Sequence, residues 1–229
     1  MVSIAVIGAN KGIGLEIVKQ LIAKSSNQVF ATCRKSSPAL TELSAAENLT
    51  VLENIDIAKD EVVNQLQSSN FPAKLDAVIC NAGFLSQWNN NGFDDLNFEH
   101  IAYMYNVNSI GPLRVARGFE SRLGEGSKYA IITSRAGSIE DNSSGGLIGY
   151  RMSKTAVNAA GKSLSIDLKP KGVAVGLLHP GFVKTGMTEG NGLITAAESA
   201  TCIIEAVERI SIGNTGQFWH AIEKEEIPW

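Results

Sequence analysis

The chain has 229 residues, of which 44% are hydrophobic and 19% are charged, and its formal net charge is -3. This length fits a single α/β domain over residues 1–229 with one well-buried core. The small negative charge gives no electrostatic reason to expect nucleic acid or an anionic membrane as a partner.

Apolar, β-branched runs alternate with helical patterns along the chain. The predicted strands are Ser3–Ile7, Gln28–Cys33, Thr50–Ile55, Leu75–Cys80, Tyr129–Thr133, Val173–Leu178 and Gly216–His220. The predicted helices are Gly12–Lys24, Pro38–Ala46, Asp60–Gln67, Asn97–Leu123 with a bend near Pro112, Tyr150–Lys169 and Ala196–Ile210. The strands are apolar throughout, which is typical of a parallel sheet covered on both faces. The alternation predicts a doubly wound parallel α/β sheet of about seven strands with helices on both faces.

Targeting and redox signals favour a cytoplasmic protein. No apolar run reaches the roughly 18 residues of a membrane span. The first residues lack the basic region and cleavage pattern of a signal peptide. The three cysteines are far apart and fit buried thiols in a reducing compartment. The three histidines show no ligand spacing, so we predict no metal site.

A glycine-rich turn, Gly8-Ala9-Asn10-Lys11-Gly12-Ile13-Gly14, follows the first predicted strand and opens the first helix. Glycines let the backbone turn tightly and approach a pyrophosphate, which the positive end of a helix attracts. An ordinary glycine-rich turn is the alternative. The position between a strand and a helix favours a dinucleotide site.

The end of the second predicted strand bears on the choice of dinucleotide. An NAD site usually places an acidic residue there for the ribose 2′-hydroxyl. This chain instead has Arg34 and Lys35, with no acid until Glu42. Arg34 and Lys11 are both near the expected 2′-oxygen, and a guanidinium forks well onto phosphate. The charge pattern therefore predicts NADP(H), the alternative being that Arg34 and Lys35 are solvated surface charges.

Tyr150 and Lys154 are four residues apart, and the stretch that follows them is rich in alanine and helical in pattern. Side chains at i and i+4 share one face of a helix. A neighbouring ammonium favours the phenolate and lowers the pKa of a tyrosine. The pair is therefore a candidate acid–base couple. Such a spacing is common by chance, so its meaning depends on the residues around it.

A series of motifs in chain order resembles the short-chain dehydrogenase/reductase family from Val2 to about Thr188. The matching residues are Gly8, Gly12 and Gly14, Asp56-Ile57, Asn81-Ala82-Gly83, Asn108, Ser134, Tyr150 with Lys154, and Pro180, Gly181, Val183 and Thr185. The block Tyr150–Thr188 and the final Pro228-Trp229 are similar to carbonyl reductases of the C-factor and sniffer type. Two departures stand out: Ile7 precedes the first glycine where the family has threonine, and 141–146 lengthens the step from Ser134 to Tyr150.

The resemblance implies a Rossmann-type fold and a catalytic set. The implied catalytic residues are Ser134, Tyr150, Lys154 and Asn108. The implied cofactor contacts are Gly8, Asn10, Lys11, Gly12, Ile13, Gly14, Arg34, Asp56, Ile57, Asn81, Ala82, Gly83, Tyr150, Lys154, Pro180, Gly181, Val183 and Thr185. By the same resemblance Asp56 contacts adenine and the turn at Pro180 touches the nicotinamide end. Taken without the family, Ser134 could cap a strand end and Asn108 could be a polar helix residue bonded to backbone.

We expect NADPH-dependent reduction of a ketone or aldehyde, with Tyr150 donating a proton to the carbonyl oxygen. Ser134 would donate to the same oxygen, and Lys154 would lower the pKa of Tyr150 and hold the nicotinamide ribose. Asn108 would position a water that relays protons. Alternatives are an NAD(P)-dependent alcohol dehydrogenase running oxidatively, a steroid- or acyl-type reductase, and a cofactor-bound signalling protein of C-factor type.

The predicted substrate is a small apolar carbonyl compound. The side chains expected at its mouth are Phe84, Leu85, Trp88, Ile139, Phe182 and Met187, each of which could equally belong to the core. Residues 182–195 are predicted to form a substrate loop that includes a mobile lid, Phe182–Leu193. The small side chains of Ala156, Ala159 and Ala160 would allow a homodimer or homotetramer through the Tyr–Lys helix. The same alanines could instead pack inside one subunit.

Overall fold

The computed structural model describes residues 2–86 and 92–229. Trp88, which was expected at the substrate mouth, lies outside these ranges. In chain order the strands are β1 Val2–Ile7, β2 Asn27–Thr32, β3 Leu49–Leu52, β4 Ala77–Cys80, β5 Lys128–Ile132, β6 Ala174–His179, β7 Val183–Lys184, β8 Ile194–Thr195, β9 Phe218–His220 and β10 Glu225–Glu226. The α-helices are α1 Gly12–Ile22, α2 Pro38–Leu43, α3 Val62–Ser68, α4 Phe98–Tyr105, α5 Gly111–Phe119, α6 Ile148–Asp167 and α7 Ala196–Arg209. Over the described ranges, no helix is both long and apolar enough to cross a bilayer.

The main sheet has the strand order β10-β9-β6-β5-β4-β1-β2-β3. All neighbouring pairs are parallel except β10 with β9. The doubly wound parallel sheet of about seven strands is therefore confirmed, with a two-residue antiparallel strand added at one edge. The order reverses at β1, which lies between β4 and β2. Open sheets of this kind bind ligands at the carboxyl ends of the strands beside that reversal.

Each face of the sheet carries its own apolar core, because successive residues of a strand point to opposite sides. Ile4 and Val6 pack into a core shared with α1 and α7. Ala5 and Ile7 pack into a second core shared with α3, α5 and α6. Because helices cover both faces of the sheet, a ligand site is expected at the carboxyl ends of the strands.

The expected bend near Pro112 is instead a π-helical segment, Asn106–Ile110, between α4 and α5. Pro112 lies in the first turn of α5. A proline removes the N–H that would bond to the carbonyl four residues earlier, and its ring crowds that carbonyl, here of Asn108. A widened π turn relieves the crowding, and such turns are frequent at functional sites. Asn108 consequently lies inside the distortion rather than in a regular helix.

Candidate active site

A cavity of about 470 Å³ opens at the carboxyl edge beside β1, β2 and β4. The residues lining it that the sequence had marked are Gly8, Asn10, Lys11, Gly12, Ile13, Arg34, Asp56, Ile57, Asn81, Ala82, Gly83, Tyr150, Lys154, Pro180 and Thr185. The glycine turn and the Tyr–Lys pair, which are about 140 residues apart in the chain, therefore face one space.

The glycine turn is fastened to the sheet and leaves donors at the start of α1 free. The backbone N–H groups of Gly8 and Ala9 both donate to the Thr32 carbonyl at 3.0 Å, and Asn81 Nδ2 donates to the Gly8 carbonyl at 2.9 Å. Gly8 has a φ of 83°, and a Cβ on Gly14 would collide with the Gly8 carbonyl oxygen. Gly14 thus supports the turn from beneath. The first turn of α1 has neither a side-chain cap nor an acidic residue, so its N–H groups suit an anion such as a pyrophosphate.

Cationic side chains mark one end of the cavity. Lys11 and Arg34 line it and are exposed to solvent. A carboxylate that was not predicted from the sequence lies nearby. Glu53, directly after β3, accepts a hydrogen bond from the Ser36 backbone N–H at 3.2 Å. Lys11 and Arg34 both line the cavity and carry the cationic donors that suit a phosphate group.

The side chain of Ser134 interacts with the phenol of Tyr150 and acts to lower its pKa. Ser134 Oγ also accepts from the Ala136 backbone N–H at 3.2 Å, so one lone pair is occupied and the hydroxyl proton can be donated. Burial raises the pKa of Tyr150 to about 12, while the interaction with Ser134 acts in the opposite direction. The phenol is therefore protonated, and a donor, at neutral pH.

Lys154 is buried and directs its ammonium at the protein backbone. Lys154 Nζ donates to the Ile132 carbonyl at 3.0 Å and lies 5.8 Å from the centre of the Tyr150 ring. Burial lowers the pKa of Lys154 to about 8, so the amine is mostly charged at neutral pH. The expected net fall in the pKa of Tyr150 is wrong, because burial raises that pKa. Desolvation of the phenol is the larger effect, and the ammonium is bonded to a carbonyl.

Asn108 uses its whole amide to hold the turn after β4. Its Nδ2 donates to the Phe84 carbonyl at 2.8 Å and to Ser153 Oγ at 3.0 Å, and its Oδ1 accepts from the Phe84 backbone N–H at 2.7 Å. Gly83 lies between this amide and the ammonium, since a Cβ on Gly83 would be 3.4 Å from Asn108 Oδ1 and 3.7 Å from Lys154 Nζ. Asn108 therefore lies close to Lys154. Its hydrogen bonds fix the backbone of Phe84, which lines the cavity.

Three further polar residues join these pieces, and motif matching did not find them. Ser153 Oγ donates to the Tyr150 carbonyl at 2.8 Å, and Ser109 Oγ donates to the Ser153 carbonyl at 2.7 Å. Asn158 Oδ1 accepts from Thr133 Oγ1 at 2.7 Å, beside the strand end that precedes Ser134. A usable signal was present, because Ser153 and Asn158 share the buried face of α6 with Lys154.

The substrate mouth is partly as expected. Phe84, Leu85 and Met187 line the cavity, and Tyr103 joins them with its ring centre 5.1 Å from that of Phe84. The expectation for Ile139 is wrong, because Ile139 lines a separate hollow on the outer face of α6. The cause lies in its backbone, which is drawn towards the C-terminal segment by a hydrogen bond to the Trp229 carbonyl.

The turn after β6 is held in place by apolar packing of Gly181 and Val183. Gly181 packs against Ile222 and Ile194, and Val183 is buried in β7. Gly181, Val183 and Phe182 therefore do not line the cavity, whereas Pro180 and Thr185 do. β7 pairs with β8, so the stems of the predicted substrate loop are held together.

The chain matches the short chain dehydrogenase family over residues 3–193. It is 35% identical over 227 residues to the 1-hydroxy-2-glutathionyl-2-methyl-3-butene dehydrogenase of Rhodococcus sp. (strain AD45), covering 96% of this chain and 97% of that protein. It is 35% identical over 157 residues to the C-signal protein of Myxococcus xanthus, covering 68% of this chain and 93% of that protein.

Solved structures of carbonyl reductases share the fold over nearly the full length. The NADPH-bound carbonyl reductase from chicken fatty liver matches with a TM-score of 0.84 and 28% identity, covering 99% of this chain and 98% of that chain. The carbonyl reductase Sniffer of D. melanogaster matches with a TM-score of 0.86 and 27% identity, covering 100% of both chains. The similarity to C-factor and sniffer-type proteins is confirmed. With a family match over most of its length, this chain is an oxidoreductase that belongs to the short-chain dehydrogenase family.

Proposed function

We propose that this protein uses NADPH to reduce a ketone or aldehyde to an alcohol, with Tyr150 as the proton donor. The observation that carries the proposal is the shared cavity. The glycine turn lines it together with Tyr150 and Lys154, and the side chain of Ser134 interacts with that of Tyr150. A dinucleotide anchor and a proton donor facing one space are what carbonyl reduction requires.

The residues present fit a bound NADPH, whose nicotinamide supplies the hydride. The free N–H groups at the start of α1 would hold the pyrophosphate. Lys11 and Arg34 would hold the 2′-phosphate, and Asp56 would hold the adenine end. Lys154 would bind the nicotinamide ribose. NADP(H) is favoured over NAD(H) because both cations line the cavity, and the NADPH-bound carbonyl reductase from chicken supports that choice.

Each catalytic side chain has a definite protonation state to work from. The Tyr150 phenol, with a pKa of about 12, is available as a donor at neutral pH. Ser134 does not transfer a proton; its hydroxyl donates a hydrogen bond to the substrate carbonyl oxygen that receives the proton of Tyr150. When Tyr150 gives up its proton, the nearby Lys154 ammonium favours the phenolate that is left. The Lys154 amine, with a pKa of about 8, carries that charge over most of the physiological range.

The walls around this donor pair favour an apolar substrate. Phe84, Leu85, Tyr103 and Met187 line the same cavity. Apolar and aromatic linings with a few fixed polar groups are typical of small-molecule sites. We therefore propose an apolar ketone or aldehyde as the substrate class.

Oxidation of an alcohol is a second candidate, because one relative is named as a dehydrogenase of a glutathionyl alcohol. Oxidation needs the phenolate as a base, and burial of Tyr150 makes that form scarce at neutral pH. A signalling role without turnover is a third, favoured by the similarity to C-signal. A protein that only binds cofactor has no need of Ser134 and Tyr150 in contact, so we rank reduction first.

A panel of carbonyl compounds mixed with the protein and NADPH tests the proposal. Consumption of NADPH, followed by its absorbance, is expected with apolar ketones or aldehydes. Tight NADPH binding without consumption of any compound would favour the signalling role. Repeating the panel with NADH tests the cofactor choice, since equal efficiency with both would contradict the role given to Arg34.

We also propose that two copies pair through the outer face of α6. Met152, Ala156, Ala159 and Ile166 recur there at spacings of three, four and seven residues, and Met152 and Ile166 are 53% and 64% exposed. Such a spacing forms one stripe along a helix, which a two-fold copy can cover with itself. Sedimentation analysis should find a dimer that Ile166→Glu converts to monomer. A monomeric wild type would exclude the pairing.

A further inference from the structure

We propose that Arg114 and Asn106 are positioning residues that couple the adenine end of the cofactor site to Asn108. The inference rests on the proposed function, since it assumes that the turn 56–60 receives the adenine half of the cofactor. Its basis is a polar clamp, defined as the side chains of Arg114 and Asn106 with their partners in 57–60. The clamp ties that turn to the π-helical segment 106–110.

Arg114 lies in α5 with only 14% of its side chain exposed. Its Nη1 donates to the Ile57 carbonyl at 3.1 Å and to Asn106 Oδ1 at 2.8 Å. Its Nε donates to Asp60 Oδ1 at 2.6 Å. One guanidinium therefore bonds to the turn after β3 and to the first residue of the π segment, which uses the several donors of a fixed fork.

Asn106 completes the clamp from the other side. Its Nδ2 donates to the Ala58 carbonyl at 2.9 Å. Packing reinforces the polar contacts, because a Cβ on Gly111 would lie 2.7 Å from Ile57 Cδ1. The turn thus rests directly on the backbone at the end of the π segment, with no room between them for even a methyl group.

The two elements that the clamp joins both line the cavity, the π segment through Val107. On one side Asp56 and Ile57 line it, and Asp56 Oδ1 accepts from the Ala58 backbone N–H at 3.1 Å. On the other side Asn108 lies two residues after Asn106 in the same π segment and holds both polar groups of the Phe84 backbone. A shift of the turn 56–60 would therefore displace Asn108 and, with it, the cavity wall at Phe84 near the ammonium of Lys154.

The ion pair with Asp60 is the smaller part of the clamp. The Asp60 side chain is 88% exposed, and exposed ion pairs contribute little. The bonds to the Ile57 carbonyl and to Asn106 are part-buried, and only 14% of the Arg114 side chain is exposed. Accordingly, Asp60→Asn should change cofactor binding less than twofold, whereas Arg114→Met leaves the part-buried Ile57 carbonyl and Asn106 amide oxygen without their Arg114 donor.

The test compares Arg114→Met with Arg117→Met. Arg117 is the matched control, since it lies about one turn later in α5, is 68% exposed and pairs with Glu120, the residue that follows that helix. We expect Arg114→Met to weaken binding of adenosine 2′,5′-bisphosphate about tenfold by calorimetry, as for a lost charge-assisted bond. We also expect kcat at saturating NADPH to fall severalfold. Arg114→Lys should recover neither fully, because both inner bonds come from Nη1 and the lysine side chain ends one atom short of that nitrogen.

The outcomes separate the inference from the function on which it rests. If Arg114→Met matches Arg117→Met in adenine-fragment affinity and in kcat, and differs only in melting temperature, the clamp is a structural brace and the inference is wrong. If Arg114→Met binds the adenine fragment more weakly but keeps the wild-type kcat at saturating NADPH, the proposed coupling to Asn108 is wrong. If Arg114→Met does not fold, Asn106→Ala serves in its place, with the same expected losses. Should the wild-type protein bind no NADPH, the proposed function itself fails.

Discussion

Asn108→Ala is expected to weaken both the fold and the site. The side chain is 1% exposed and makes three hydrogen bonds, two to the Phe84 backbone and one to Ser153. At about 1 kcal/mol for each bond, the loss in unfolding free energy is about 3 kcal/mol. For a chain of this size that corresponds to a fall of about 6–12 °C in melting temperature. Thermal unfolding followed by circular dichroism measures it.

The same variant should raise the substrate KM, because Phe84 lines the cavity and loses the partner of its backbone. Asn64→Ala is the control, since Asn64 is an exposed asparagine on α3. It should leave both quantities unchanged. Asn108→Asp should not restore stability, because a carboxylate oxygen cannot donate to the Phe84 carbonyl. If Asn108→Ala lowers the unfolding free energy by less than about 1 kcal/mol, the loss is smaller than one net hydrogen bond. That result would refute the role of Asn108 in holding the Phe84 backbone.

Three further predictions concern pH, cofactor and backbone. Reduction by NADPH should hold nearly constant from pH 6 to about pH 7, fall to about half at about pH 8 and keep falling above it, because Lys154 loses its charge in this range while Tyr150 stays protonated until about pH 12; initial rates from pH 6 to 10 measure this, and a rate that stays unchanged to pH 10 would contradict it. Arg34→Ala should weaken NADPH binding about tenfold in fluorescence titrations, as for one charge-assisted bond, and leave NADH unchanged; equal losses for both would contradict it. Gly14→Ala should abolish NADPH binding, because its Cβ collides with the backbone of the glycine turn. Gly124→Ala, where a Cβ meets nothing within 4 Å, should bind normally.

The order of strands and helices was predictable because each element has its own periodicity. β1 and β6 are continuous apolar runs, and burial on both faces of a parallel sheet selects such runs. Two-residue strands such as β7 and β10 were not predictable, since so short a segment has no period. The position of the π turn also escaped prediction. Pro112 signals a distortion, but the sequence does not show on which residues the strain is taken up.

Site residues were predictable where a motif specifies the residue type. The prediction failed where contacts between distant parts of the chain decide the position of a side chain or its pKa. Tyr150 and Lys154 face the cavity that the glycine turn also lines. Ile139 was misplaced because a hydrogen bond to Trp229, 90 residues later in the chain, orients its backbone. The pKa of Tyr150 was expected to fall on account of its neighbour. It rises because the depth of burial, which spacing cannot reveal, outweighs one ammonium bonded elsewhere.

Tyr150→Phe tests the central claim most directly, since it removes one hydroxyl and keeps the ring. NADPH binding, measured by fluorescence titration, should stay within about twofold of wild type, because the glycine turn and both cations are untouched. Carbonyl reduction by the same sample should fall by about 10²–10⁴-fold, the usual contribution of a positioned proton donor. A variant that binds NADPH and reduces the carbonyl at the wild-type rate would contradict the assignment of Tyr150 as the donor.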